Sequence, residues 1–240
     1  MLGRFLEYSV AARPLAPSFE FYRSLGFVSI PVSDTLPDPY VVLFDGAVAV
    51  GLHDREQAGA QLTFVRPELR AYVRALRRLD LELELDYEHL GDAEFNSVGF
   101  TDPAGHAIAL VEARTFPPPA WDPHNLLACG ELFELTLPAH ELGRSSRFWQ
   151  ALGFAYVAGG DAPHAWQRLT GYGLTVGLHE AHCRPGLSFR CTDLDARCEY
   201  LRAKRLHPQA GTPLADRAQP SATLMAPEGT VLYLFEKGTQ

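Results

Sequence analysis

The side chains that could do chemistry come in matched pairs. His53 and His179 sit in GLHD and GLHE, 126 residues apart. Glu7 and Glu134 each stand 14 residues before a phenylalanine, Phe21 and Phe148. Glu112 and Glu236 each end an apolar run. Imidazole and carboxylate can ligate metals or move protons. The densest local cluster is HEAHC, where His179, His182 and Cys183 could clip a metal. Three polar residues in a loop are more simply a loop. No Ser-His-Asp or Cys-His arrangement can be read from spacing. There is no P-loop, no G-x-G-x-x-G opening a helix and no zinc spacing, which removes whole classes of activity.

The pairs are part of a duplication. FYRSLGF (Phe21–Phe27) returns as FWQALGF (Phe148–Phe154), 127 residues later. DPAG at Asp102–Gly105 returns as APEG at Ala226–Gly229, 124 residues later. Order, spacing and residue type all repeat, and small loop deletions account for the drift. The expected organisation is one domain over residues 1–115, a Pro-rich linker over 116–128 and a second domain over 129–240. Three consecutive prolines, Pro117–Pro119, suit an extended spacer, and Trp121 is expected to pack on a domain surface.

Each half must place its chemistry on strands. LEYSV (Leu6–Val10) alternates like a strand. If Glu7 points inward, Phe5 and Ser9 share its face. Phe21 and Leu25 lie one helical turn apart, and Gly26 suits the helix end. Strands are expected over 27–32 and 40–44, then AVAVGLH after the Asp45-Gly46 turn. A second unit follows. QLTFV from Gln61 is a strand, and Leu69, Tyr72, Val73, Leu76 and Leu79 have helical spacing. Strands follow near 82–87, 96–101 and 106–112. The second half repeats this plan, with Asp193 as a helix N-cap.

This pattern resembles the vicinal oxygen chelate superfamily, which contains glyoxalase I, extradiol dioxygenases and bleomycin- or fosfomycin-resistance proteins. The resembling features are an alternating strand, F-Y/W-x-x-L-G-F and a closing D-P-x-G-x-x-I strand. The resemblance implies an α+β fold of two tandem glyoxalase-like domains. Each would hold paired βαβββ modules around a curved mixed sheet, forming a cup.

In metal-using members of that family, His, Glu or Gln occupies up to four inward positions. Carried onto this chain, the first strand offers Glu7 and Glu134. The last strand of the first module falls near Val50 and Val176. The next strand offers Gln61 and Gly186, and the final one Ala109 and Tyr233. The only metal candidates are thus Glu7, Gln61 and Glu134, fewer than a catalytic site needs. No cofactor is expected, and a divalent metal is the minor alternative. His53 and His179 fall three residues past the valines, at opposite parity, and read as strand-end or hinge residues. Glu112 and Glu236 read as solvated strand ends.

The inward positions imply two different cups. The first holds Glu7, Ser9, Gln61, Thr63, Ala107 and Ala109, flanked by Tyr40. The second holds Glu134, Thr136, Ser188, Arg190, Tyr233 and Phe235, flanked by Trp166. Arg190 is the expected ion-pair partner of Glu134. Glu7 has no expected cation and calls for protonation, water or a cationic ligand.

Composition narrows the partners. The 240 residues are 47% hydrophobic with a net charge of −8. Two cores of ordinary size can be filled. No Lys/Arg run could track a phosphate backbone, so nucleic acid is not an expected partner. No apolar run reaches the ~20 residues that span a bilayer, so no membrane partner is expected. Cys129, Cys183, Cys191 and Cys198 show no C-x-x-C spacing and lie in one half, as cytoplasmic free thiols would. With a first strand so close to Met1, no signal peptide is expected.

Two functions follow. The first is metal-free binding of a small aromatic or cationic molecule, of the bleomycin-resistance type. Its ligand-binding residues would be Glu7, Gln61, Tyr40, Glu134, Trp166, Arg190 and Tyr233, and no catalytic residue is assigned. The second is a metal-dependent lyase or dioxygenase of the glyoxalase or extradiol dioxygenase type. It requires a third ligand hidden by a one-residue register slip. Association into a homodimer stays open.

Overall fold

In a computed structural model of the chain, the structure describes residues 2–31, 39–57, 59–79, 81–86, 97–112, 128–216 and 219–237. The expected linker, with Pro117–Pro123 and Trp121, lies outside these residues except for Ala128.

The first half runs β1 (Arg4–Ala11), α1 (Leu15–Ser24), β2 (Val28–Ile30), β3 (Tyr40–Phe44) and β4 (Ala49–His53). It continues with β5 (Gln61–Arg66), α2 (Leu69–Leu76), β6 (Glu84–Asp86), β7 (Ser97–Thr101) and β8 (Ala107–Glu112). The second half runs β9 (Glu131–Pro138), α3 (Leu142–Ala151), β10 (Ala155–Gly160), β11 (Trp166–Gly171) and β12 (Leu174–His179). It ends with β13 (Gly186–Cys191), α4 (Leu194–Ala203), β14 (Gln209–Ala210), β15 (Ser221–Met225) and β16 (Val231–Glu236).

Each half forms its own 8-stranded sheet, ordered β2-β3-β4-β1-β5-β8-β7-β6 and β10-β11-β12-β9-β13-β16-β15-β14. The orders are identical, so the duplication is structural. The sheets are mixed: β1 lies parallel to β4 and antiparallel to β5, and β9 stands likewise between β12 and β13. Each half is therefore a pair of βαβββ modules joined through its first strands.

The apolar side of each sheet lies under its helices. Tyr22 and Leu25 bury with Tyr8, Val50, Leu52 and Phe64 in the first half, and Trp149 and Leu152 with Val176, Leu178 and Phe189 in the second. Each such side chain contributes roughly 1.5–3 kcal/mol. Gly26 and Gly153 end α1 and α3 at φ of 99° and 103°, where a side chain would be strained.

Two local readings need correction. A bulge between Phe5 and Glu7 pairs Phe5 with Phe64 but Glu7 with Thr63. Phe5 therefore turns into the core, against Phe64, and does not share the Glu7 face. Glu112 and Glu236 are not solvated strand ends. Their carboxylates accept from the N–H groups of Leu69 (2.9 Å) and Leu194 (2.6 Å), at the starts of α2 and α4. A carboxylate at a helix start meets otherwise orphaned donors and the positive end of the dipole. Asp193 caps α4 as expected, accepting from Ala196 N–H.

The halves pack on each other through α1 and α3. Tyr22 Oη and Ser18 Oγ both donate to the Glu228 carboxylate at 2.7 Å. In the reciprocal contact, Trp149 Nε1 donates to Asp102 at 3.3 Å. Phe64 packs edge-on against Phe154 and Tyr172. Ala128 N–H donates to Leu25 O, and Phe5 N–H to Tyr172 O. Among the described residues no helix is long and apolar enough to cross a membrane. All four cysteines are free thiols.

Candidate functional site: two Glu–His pairs

The register of β4 against β1 decides which groups meet. Tyr8 stands opposite Val50 and Ser9 opposite Gly51. Alternation then places Glu7, Ser9, Gly51 and His53 on one face. Val50 and Val176, the expected inward positions, are instead fully buried on the core side. His53 and His179 are not hinge residues, because each points at its glutamate.

In the first half, His53 Nε2 lies 2.8 Å from Glu7 Oε1. Ser9 Oγ donates to the same oxygen at 2.7 Å and lies 2.8 Å from Thr63 Oγ1. Glu7 and His53 are only 6% and 3% exposed. Glu7 thus has its imidazole and hydroxyl partners within the chain, and needs no ligand to compensate it. Gly51 makes room for the pair, since a Cβ there would fall on the Glu7 carboxyl. Tyr40, opposite His53, lies parallel to its ring within 2° at 5.4 Å.

The second half repeats this and adds charge. His179 Nε2 lies 2.7 Å from Glu134 Oε1, and a Cβ on Gly177 would fall on that carboxyl. Trp166 takes the place of Tyr40, stacking over His179 at 6.5 Å. Arg168 Nε donates to Glu134 Oε2 at 2.7 Å. Arg190, the expected partner, is exposed and lies over the Phe133 ring at 4.2 Å. On β13, register places Arg190 beyond Ser188, the residue that faces Glu134. Burial pushes the Glu134 carboxyl up, but His179 and Arg168 outweigh it and hold the group below its usual range. His179 Nδ1 is bonded to His164 Nε2 at 2.9 Å. Burial, ahead of the neighbouring His179, holds the His164 pKa down.

The remaining positions set the faces apart. Strand registers match Val42 with Arg168, Gln61 with Gly186, Ala107 with Val231 and Ala109 with Tyr233. On the Glu134 face, Tyr233 and Phe235 pack with Phe133 and Leu214. The Tyr233 hydroxyl exchanges hydrogen bonds with the Arg184 backbone, and burial raises its pKa to about 12. That face is filled by its own side chains. The Glu7 face carries Ser9, Gly51, Thr63, Ala107 and Ala109 instead, with Gln61 and Ala107 partly exposed.

A resident divalent ion, as the fold's metal-using members hold, finds a poor donor set here. Each face offers one carboxylate already hydrogen-bonded to one imidazole, and in the second half a further imidazole, His164, is spent on His179. Ala107 and Ala109 supply no donor, and at Glu134 a guanidinium stands where a cation would come. Among the described residues no group of three or more His, Cys, Asp or Glu could hold a metal. HEAHC makes no clip: His182 is exposed, and Cys183 packs by Tyr233, with burial raising its thiol to about 12.

Arg168 and the facing of both histidines are what sequence reasoning missed. The signal for Arg168 was its two-residue distance from Trp166, which gives it the same face.

No family model and no curated protein matches the chain. Solved structures do. An extradiol ring-cleaving dioxygenase from B. fuscum is 14% identical, with a TM-score of 0.64 over 99% of this chain and 72% of that one. The 2,2',3-trihydroxybiphenyl 1,2-dioxygenase of Sphingomonas wittichii strain RW1 is 18% identical, with a TM-score of 0.64 over 100% and 92%. A 2,3-dioxygenase from Pseudomonas sp. KL28 is 16% identical, again at 0.64, over 98% and 92%. With one strand order repeated in both halves and agreement over nearly its whole length, the chain has the vicinal oxygen chelate fold in its tandem two-domain arrangement.

Proposed function

We propose that the protein binds a small planar molecule, aromatic and cationic or rich in hydrogen-bond donors, on the Glu7 face without a catalytic metal. One observation carries this: the registers that hold Arg168, Val231 and Tyr233 on the second face hold Val42, Ala107 and Ala109 on the first. Smaller residues around a polar Glu–His pair, in place of the side chains that fill the second face, support the reading. Tyr40 and Gln61 flank the pair. In this reading residues 1–115 are the binding domain. Residues 129–240, with Glu134, Trp166, Arg190 and Tyr233 held in internal contacts, are its scaffold. Thermal-shift screening with cationic aromatics, anionic acids and neutral sugars tests it. Stabilisation by the first class is expected. Stabilisation by anionic ligands alone would refute it.

A second reading is a metal-dependent lyase or dioxygenase, and the solved structures favour it, since those named above are dioxygenases. It would rest on Glu7, His53 and Gln61, one imidazole short of the two-His, one-carboxylate set typical of non-haem iron oxygenases. Elemental analysis of protein purified without chelator or His tag separates the readings. About one transition metal per chain, lost in Glu7→Ala, would establish the second.

A further inference from the structure

We propose that the Glu7 face takes a planar heterocycle bearing an N–H group, which donates to His53 Nδ1. This rests on the reading that the face binds a small molecule, and it names the chemical class.

Three observations carry it. First, the Glu7 carboxylate can only accept, so the hydrogen between it and His53 sits on Nε2. In the neutral imidazole that leaves a lone pair on Nδ1. Second, His53 Nδ1 is buried and has no hydrogen-bond partner among the described residues. A buried acceptor without a donor is costly and rare. Third, the duplicate partners that nitrogen: with the Nε2 hydrogen of His179 likewise turned to the Glu134 carboxylate, Nδ1 of the neutral ring accepts from His164 Nε2. His179 Nδ1 is bonded at 2.9 Å to the imidazole of His164, whose ring centroid lies 5.2 Å away at a tilt of 55°. The second half carries an azole within its own chain at the place where the first half has a buried lone pair. Tyr40 holds the His53 ring flat, so the direction of that lone pair is fixed.

The test uses the full chain with ¹⁵N-histidine and backbone labels, titrated at pH 8 with imidazole and with 1-methylimidazole, which lacks the N–H. Imidazole should saturably shift the His53 Nδ1 resonance and the Ala107 and Ala109 amides, at least tenfold more tightly than 1-methylimidazole. His53→Phe should lose the response. As a second variant, His164→Ala on the half-buried ring of the other domain should gain an imidazole response at His179 Nδ1. Equal shifts with both probes would overturn the N–H inference and leave small-molecule binding standing. No shift at Ala107 and Ala109 with either probe, or with the screened classes, would overturn both. A His53 spectrum showing protons on both nitrogens, or on Nδ1, would overturn the inference alone.

Discussion

Arg168 Nε stands 2.7 Å from Glu134 Oε2, whereas Val42 holds the matching register beside Glu7. This one difference separates two otherwise parallel Glu–His pairs. In the second half the carboxylate is locked between a guanidinium and an imidazole. In the first it has an imidazole and a hydroxyl.

Removing Arg168 should be expensive, because Glu134 is 2% exposed and would keep a charge without its cation. Arg168→Ala is expected to cost about 3–5 kcal/mol. Arg168→Met combined with Glu134→Leu should recover most of it, since an apolar pair carries no desolvation penalty. Urea midpoints of the three variants measure this. A single-variant loss below about 1 kcal/mol would show the pair to be energetically idle.

Acid should weaken the second half through Glu134. Despite the upward push of burial, its folded pKa is lowered by His179 and Arg168. The folded state then binds the proton more weakly than the unfolded one. The stabilisation is whole above the unfolded carboxyl range and fades as pH falls through the lowered folded value. Glu134→Gln should be less stable at neutral pH and show a flatter acid limb. Equally steep limbs would assign acid unfolding to other groups.

Asp45 carries the opposite sign. Burial raises its pKa to about 6, against hydrogen bonds from the Ala47 and Val48 N–H groups. Its other oxygen, Oδ2, is buried without a partner among the described residues. Its contribution is present below the unfolded pKa and is lost as pH rises through about 6. Between about pH 4 and 7 the loss should be on the order of 1–3 kcal/mol. Asp45→Asn keeps the Oδ1 acceptor and should remove that slope, as read by stability at four or five pH values.

Gly51 and Gly177 should resist substitution for one shared reason. A Cβ at either lands on the carboxyl of Glu7 or Glu134. Gly51→Ala is expected to lose roughly 1–3 kcal/mol, the usual cost of overpacking. Adding Glu7→Ala should relieve the overlap, making the double variant less damaged than the sum of the singles. Strict additivity would mean that the backbone, not the carboxyl, sets the requirement.

The sequence by itself determined what recurs. FYRSLGF and FWQALGF, GLHD and GLHE, and the matched Glu7 and Glu134 fixed the duplication, the order of strands and helices, and the faces of β5 and β8. Those are properties of local period and repeat, legible without knowing what lies alongside. Only the tertiary structure decided what each glutamate meets. The parallel register of Ser9 with Gly51 turns His53 toward Glu7 and Val50 toward the core. Parity counted along one strand says nothing about its alignment with a strand some forty residues away, and one step reverses every side chain. The bulge beside Glu7 inverts Phe5 for the same reason. Arg168 rather than Arg190 reaches Glu134 because β11 brings it to the register of Gly177, while β13 carries Arg190 past the carboxylate. Ion pairing and hydrogen bonding act across strands, over distances that the chain sets only once it has folded.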